Sequence, residues 1–333
     1  MKIVLVGCFG HIGYVFRGLE RVPSVEIAAV ASGSEAPADV LTSLCLEHGQ
    51  HPVVYRDWQQ MFDEVQPDVA CIDGPFDKHA EMAAYALAHG IHVFCEKPIA
   101  LDFAQLAMVR SAWLESGKHI RSMVGLRYAD AFLHAYKLVD SGAVGKIKFI
   151  RTQKSYKLGR RPDFYKVRKS YGGTIPWVGS HAVDWIMFYS QAAFSAVTAY
   201  HDADDNCGHG DLEMVGHALF KMDNGVIADA GIDYLRPAAA STHGDDRVRI
   251  AGTSGVLEVR GGKIYLINGD GEQEIVPPPA DRDVFSDFIL ELTTGRPALV
   301  TDAQTFALTY AVLLARESAD RGKTLEFTGF ERS

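Results

Sequence analysis

Lys2-Ile3-Val4-Leu5-Val6-Gly7-Cys8-Phe9-Gly10-His11-Ile12-Gly13 decides the fold. An apolar, β-rich run ends abruptly in glycines at 7, 10 and 13, and residues 12–22 then take helical periodicity. Glycines at a first strand–helix junction permit a tight turn and let backbone N–H groups approach a pyrophosphate. The spacing is GxxGxxG rather than GxGxxG, with Cys8 or Phe9 where a glycine is usual. That longer spacing also occurs in dinucleotide-binding reductases. Gly7, Phe9, Gly10, His11, Ile12 and Gly13 are therefore the first candidate cofactor contacts.

Working outward, apolar runs recur at Val25–Ala31, Val69–Asp73, Ile91–Cys95 and Ile120–Val124, and helical patterns at Lys78–His89 and Phe103–Ser116. Unbroken apolar strands separated by helices predict a parallel sheet covered on both faces. Right-handed crossovers then give an α/β, Rossmann-type doubly wound domain over residues 1–124. Its second strand ends Ala31-Ser32-Gly33-Ser34-Glu35, with no acid at the tip to take a ribose 2′-hydroxyl. Ser32, Gly33 and Ser34 suit a 2′-phosphate, which leans the expected cofactor toward NADP over NAD. Against that lean, no Lys or Arg follows closely, and Glu35 could reach a ribose.

Past Gly125 the texture changes. A helical stretch at Ala129–Asp140 precedes a long strand at Lys146–Tyr156, and an apolar helix at Val178–Tyr189 follows. Strand-like runs then succeed one another at Ala196–His201, Glu213–Met222, Val226–Tyr234, Arg247–Ala251, Gly255–Arg260, Lys263–Ile267 and Glu272–Val276. Gly-bearing turns such as Asp223-Asn224-Gly225 and Gly261-Gly262 join neighbouring strands antiparallel. Residues 125–333 thus read as a C-terminal α+β domain with an open, mostly antiparallel sheet, closed by helices near Arg282–Thr293 and Asp302–Arg321.

The 333 residues hold 33 Lys+Arg against 42 Asp+Glu, a net charge of −9, which argues against a nucleic-acid partner. No apolar run is long enough to span a bilayer, and the opening apolar run is too short for a signal peptide. Neither a membrane nor an export leader is expected. The five cysteines are scattered, with no CxxC pair, and read as small buried apolar residues in a reducing, cytoplasmic setting. His209, Asp211, Glu213 and His217 invite a metal reading, but Asp211–Met222 alternates as a strand, so no metal is expected.

The most informative segment is Cys95-Glu96-Lys97-Pro98, which places a lysine just past the end of a parallel strand. Together with the glycine turn and Gly172-Gly173-Thr174-Ile175-Pro176-Trp177-Val178-Gly179-Ser180-His181-Ala182-Val183-Asp184, it resembles the glucose–fructose oxidoreductase, inositol dehydrogenase and MocA (Gfo/Idh/MocA) family along essentially the whole chain. The resemblance implies an NAD(P)-dependent oxidoreductase that moves hydride between nicotinamide and a carbinol carbon of a sugar, sugar derivative or cyclitol. It also implies a homodimer or homotetramer formed through the second-domain sheet.

Residue by residue, the resemblance puts Lys97 beside the nicotinamide and the reacting hydroxyl, makes Pro98 the match to a proline often preceded by a cis bond, and adds Glu96 to the cofactor contacts. Asp73-Gly74-Pro75-Phe76-Asp77-Lys78-His79 fits the segment that lines the cofactor ribose, through Gly74 and Pro75, with His79 counted among the cofactor contacts or steadying the loop. Family members carry Asp-x-x-x-His after the double glycine and a further Asp three residues on. His181 and Asp184 match, while Trp177 stands where the first Asp is expected.

His181 is the acid/base candidate because an imidazole titrates near neutral pH. Its ring and the Lys97 ammonium are expected to converge on one oxygen. Arg127, Tyr156, Trp177 and Asp184 complete the expected substrate contacts. The Arg-, Lys- and Tyr-rich stretch 156–171 either flanks the substrate mouth or forms a solvated loop face. Trp177, four residues before His181, can stack on a sugar but cannot orient an imidazole as a carboxylate does. Three explanations stay open. Lys97 and His181 act alone; Asp184 or a Tyr supports them; or the protein works by binding, as a cofactor-dependent sensor or assembly partner. An enzymatic alternative is glycoside cleavage through transient oxidation, with the cofactor recycled.

Overall fold

The structure, a computed structural model, describes residues 1–36 and 38–328. Six strands, β1 (Lys2–Val6), β2 (Glu26–Ala31), β3 (Val53–Tyr55), β4 (Val69–Ile72), β5 (His92–Cys95) and β6 (Ile120–Ser122), form a sheet in the order β3-β2-β1-β4-β5-β6. Every neighbouring pair is parallel. All four residues of β4 are buried, as expected of a central strand covered on both faces. The three-residue β3 is not foreseen by the sequence reading, because it is an edge strand whose two valines are exposed.

The helices between these strands are α1 (Gly13–Leu19), α2 (Asp39–Glu47), α3 (Trp58–Val65), α4 (His79–Ala88) and α5 (Phe103–Ser116). Local chemistry sets several of their ends. Asp57 caps α3 by accepting Gln60 N–H at 2.7 Å, and Asp102 caps α5 by accepting Gln105 N–H at 2.8 Å. Gly117, at φ +63°, stops α5.

Nine strands build the second sheet: β7 (Ile147–Tyr156), β8 (Phe194–Asp202), β9 (Val215–Met222), β10 (Ile227–Asp233), β11 (Gly244–Gly252), β12 (Gly255–Arg260), β13 (Lys263–Asn268), β14 (Gly271–Ile275) and β15 (Leu325–Glu326). Their order is β14-β13-β12-β11-β7-β10-β9-β8-β15. All pairs are antiparallel except β7 with β10. The remaining helices are α6 (Asp130–Asp140), α7 (Arg168–Tyr171), α8 (Thr174–Trp177), α9 (Gly179–Ser190), α10 (Val284–Thr294) and α11 (Asp302–Arg321). Every residue of α9 is buried.

The chain divides into two units, residues 1–125 with 282–309, and residues 126–281 with 310–333. The sequence reading expects two contiguous domains, and the return of 282–309 to the first unit corrects it. The reason is packing. Phe285 lies edge-on to Phe94 of β5 at 5.5 Å between ring centroids, and Gly18 of α1 leaves room for the Phe285 ring. Asp302 accepts Ile120 N–H at 2.7 Å, and the Thr305 hydroxyl accepts Ser122 N–H at 3.1 Å, so β6 is fastened to α11.

Among the described residues, no helix is long and apolar enough to cross a membrane, and no three His, Cys, Asp or Glu side chains are placed to hold a metal ion. Cys45, Cys71 and Cys95 are buried, whereas Cys207 is exposed, contrary to its reading as a core residue.

Candidate functional site

The site is built in the first unit where β1, β4 and β5 end side by side. Gly7 closes β1 at φ +76°, and its N–H donates to Ala31 O at 2.9 Å. A Cβ there would lie 2.4 Å from the Asp73 carbonyl oxygen, so only glycine fits. At Gly10 a Cβ would meet Asp73 Oδ1 at 2.8 Å and Glu96 Cγ at 3.0 Å. The glycines thus leave a cradle of the kind that lets a dinucleotide come close to backbone.

The floor of that cradle is acidic. Asp73, at the end of β4, accepts Gly10 N–H at Oδ1 (2.7 Å) and Ile12 N–H at Oδ2 (2.9 Å). Glu96, at the end of β5, lies 3.0 Å from His11 Nδ1 through Oε2 and 3.8 Å from Lys97 Nζ through Oε1. Both carboxyls are fully buried. Burial, together with the Glu96 charge, pushes the Asp73 carboxyl well above the usual carboxylate range, against the pull of the Gly10 and Ile12 N–H groups. Burial also pushes Glu96 up, but His11 and Lys97 more than offset it, and the Glu96 carboxyl ends below its ordinary value. Asp73 is missing from the residues singled out by sequence. The available signal was a carboxylate ending a buried strand next to the one that leads into the glycine turn.

Lys97 is only 2% exposed, and the Lys97–Pro98 peptide bond is cis, as the resemblance implied. Glu96 and Lys97 are therefore no surface ion pair. His79 is fully buried, with Nδ1 3.0 Å from Pro98 O and Nε2 3.0 Å from Gly74 O. It clamps the Gly74–Pro75 loop to the cis-proline loop, so the structure gives it a supporting place rather than a cofactor contact.

Ser32 is also committed locally. Its hydroxyl donates to Ser34 O at 2.7 Å and accepts Ser34 N–H at 3.2 Å around Gly33, at φ +71°. This turn spends the hydroxyl that the sequence reading offers to a 2′-phosphate.

In the second unit, Gly172 and Gly173, at φ +88° and +107°, turn the chain into α8 and α9. Buried Glu213 fixes that turn. Its Oε2 accepts Thr174 N–H at 2.9 Å, and its carbonyl accepts the Thr174 hydroxyl at 2.7 Å. Arg168 in turn donates to Glu213 Oε1 at 2.6 Å and to Asp320 at 2.7 Å. Glu213 is thus an internal anchor, and Arg168 of the basic stretch is a tied residue rather than part of a solvated face. Trp177 and His181 are both buried, at 6% and 2% exposure.

Three expected substrate contacts, Arg127, Asp184 and Tyr156, have partners within the second unit. Arg127 Nε donates to Asp184 Oδ2 at 3.0 Å, Nη2 pairs with Oδ1, and both side chains are buried with the guanidinium over the Phe188 ring. They serve each other, because a buried charge needs a matching one nearby. Tyr156, at the end of β7, stacks on His243 at 5.1 Å and lies under the buried Lys154 ammonium.

Residues 1–124 match the oxidoreductase family with an NAD-binding Rossmann fold, and residues 132–258 match the Gfo/Idh/MocA C-terminal domain. The chain belongs to the Gfo/Idh/MocA family.

Other members differ in how closely they follow it. A Thermotoga maritima protein of known structure, described only as an oxidoreductase, is 39% identical, with a TM-score of 0.94 over 98% of this chain and 100% of its own. D-xylose 1-dehydrogenase (NADP(+)) 2 of Haloferax volcanii is 28% identical over 69% of this chain and 70% of its own. Inositol 2-dehydrogenase/D-chiro-inositol 3-dehydrogenase of Lactiplantibacillus plantarum is 26% identical over 44% of this chain and 41% of its own. The match spans less than half the length of the first curated relatives. Within the Gfo/Idh/MocA pattern described above, this chain keeps His181 and Asp184 and carries Trp177 in place of the first Asp.

Proposed function

We propose that the chain is a nicotinamide-dependent dehydrogenase or reductase acting on a carbinol carbon of a sugar, sugar derivative or cyclitol. One observation carries the reading. Lys97 follows directly on Glu96, whose carboxyl reaches His11 of the glycine turn, so the ammonium stands at the sheet edge that would hold the cofactor. Nicotinamide, when bound, supplies the hydride acceptor or donor.

The rest falls to the protein. Lys97 holds the substrate hydroxyl and stabilises alkoxide character as the proton leaves. His181 takes that proton and returns it in the reverse direction. Trp177 offers an apolar face to the ring of the substrate. The relatives named for inositol and xylose dehydrogenation support this substrate class.

For the cofactor we favour NAD(H). The Ser32 hydroxyl is spent in its own turn, residues 32–36 contain no Lys or Arg, and Glu35 is exposed where a ribose hydroxyl could use it.

The test is a panel of polyols and aldoses assayed by reduced-nicotinamide absorbance with wild type, Lys97→Ala and His181→Ala. Lys97→Ala is expected to lose about 10²–10³ in kcat with NADH binding retained. His181→Ala is expected to lose about 10²–10⁴. Full turnover in Lys97→Ala would refute the assignment, and tighter binding of NADPH than NADH would refute the cofactor choice.

A further inference from the structure

Three N–H groups of the glycine turn are already engaged by Asp73. Phe9 N–H donates to the Asp73 carbonyl oxygen at 3.0 Å, Gly10 N–H to Asp73 Oδ1 at 2.7 Å, and Ile12 N–H to Asp73 Oδ2 at 2.9 Å. A buried carboxyl therefore takes two N–H groups from the turn that is read above as the seat of a dinucleotide. A diphosphate asks the same of such a turn, namely donors for anionic oxygens. The two anions cannot be served by the same N–H groups at full strength.

We propose that Asp73 is an internal competitor for the cofactor diphosphate and so sets dinucleotide affinity. The inference rests on the reading of the glycine turn as the cofactor site.

Charge works in the same direction as hydrogen bonding. Asp73 and Glu96 both press on Gly10, where a Cβ would lie 2.8 and 3.0 Å from their atoms. Glu96 is compensated by His11 at 3.0 Å and Lys97 at 3.8 Å. The side-chain oxygens of Asp73 are met by backbone N–H groups. A diphosphate brought to the turn adds a third anion to this cluster. Binding then requires that Asp73 release its donors, take up a proton, or both. The raised position of the Asp73 carboxyl is consistent with a group already short of stabilisation for its charge.

Substitution separates competition from anchoring. In Asp73→Ala the Gly10 and Ile12 N–H groups are freed and the charge is gone. In Asp73→Asn the charge is gone, and the amide oxygen can satisfy one N–H while its NH₂ cannot accept the other. Isothermal titration of the full chain with NADH, ADP and adenosine measures the difference.

ADP and NADH are expected to bind at least tenfold more tightly to Asp73→Ala than to wild type, with a smaller gain for Asp73→Asn. Adenosine, which lacks the diphosphate, is expected to bind all three forms alike. If wild type binds ADP and the variants bind it equally or more weakly, Asp73 is an anchor of the turn and the inference falls alone. If neither ADP nor NADH binds any form, the cofactor reading falls and takes the inference with it. Should Asp73→Ala not fold by circular dichroism, the near-isosteric Asp73→Asn carries the test with the same sign.

Discussion

A guanidinium inside a protein survives only against an anion shaped to receive it, and Arg127 meets that condition through Asp184. The pair joins the short turn ahead of α6 to the buried helix α9, three residues beyond His181. Burial alone raises the Asp184 carboxyl despite the neighbouring Arg127, so the pair is held at the cost of desolvation. Arg127→Met is expected to destabilise the fold by about 3–5 kcal/mol, because it strands a buried carboxyl. The double variant Arg127→Met/Asp184→Leu should recover much of that loss. Urea unfolding followed by circular dichroism checks both, and a double variant as unstable as the single one would show that packing, rather than the stranded charge, dominates.

At the scale of elements, the junction of β5 and β6 carries a pH dependence. His92 Nδ1 accepts His119 N–H at 3.0 Å, and the two imidazoles stack at 5.5 Å. Burial, then the charges of Lys118 and His119, lower the His92 pKa to about 4. In the unfolded chain the same ring titrates near ~6.5. The unfolded state therefore binds more protons below that value, and stability falls as pH drops from about 6.5 toward about 4. The urea midpoint is expected to decline between pH 7 and pH 5, and to decline less in His92→Gln, whose amide oxygen can still accept the His119 N–H. An unchanged slope in the variant would assign the dependence to other groups.

At the scale of the whole molecule, the first unit is discontinuous in sequence. Phe285 and Phe288 of α10 pack on Phe94 of β5 at 5.5 and 6.0 Å between centroids, and Arg121 of β6 pairs with Glu291 and Asp302. A residue nearly two hundred positions from β5 is thus part of its core. Phe285→Ala is expected to cost about 3–5 kcal/mol. The same variant should also weaken NADH binding, because β5 carries Glu96 and Lys97 at its end. Denaturant titration with and without NADH reads both effects. Normal cofactor affinity in a destabilised variant would separate the α10 packing from the site.

Some of this was written in local sequence. Lys2–Val6 followed by Gly7, Gly10 and Gly13 fixed a strand, a tight turn and a helix, because apolar period and glycine freedom act over a few residues. The run Glu96-Lys97-Pro98 marked the sheet edge for the same reason, and the alternating strands of the second half announced their hairpins.

Partnership was not legible. Arg127 and Asp184 lie 57 positions apart, Asp73 and Gly10 lie 63 apart, and Thr174 and Glu213 lie 39 apart. Whether each charge faces a ligand, a solvent or another buried group depends on which strands become neighbours, and one strand order decides that for all of them at once. The chain by itself determined most of its elements, though not the exposed edge strand β3, and the chemistry available at their ends. Tertiary structure alone decided that two presumed substrate contacts would bind each other, and that a carboxyl would sit under the glycine turn, because burial forces every charge to find its answer inside the fold.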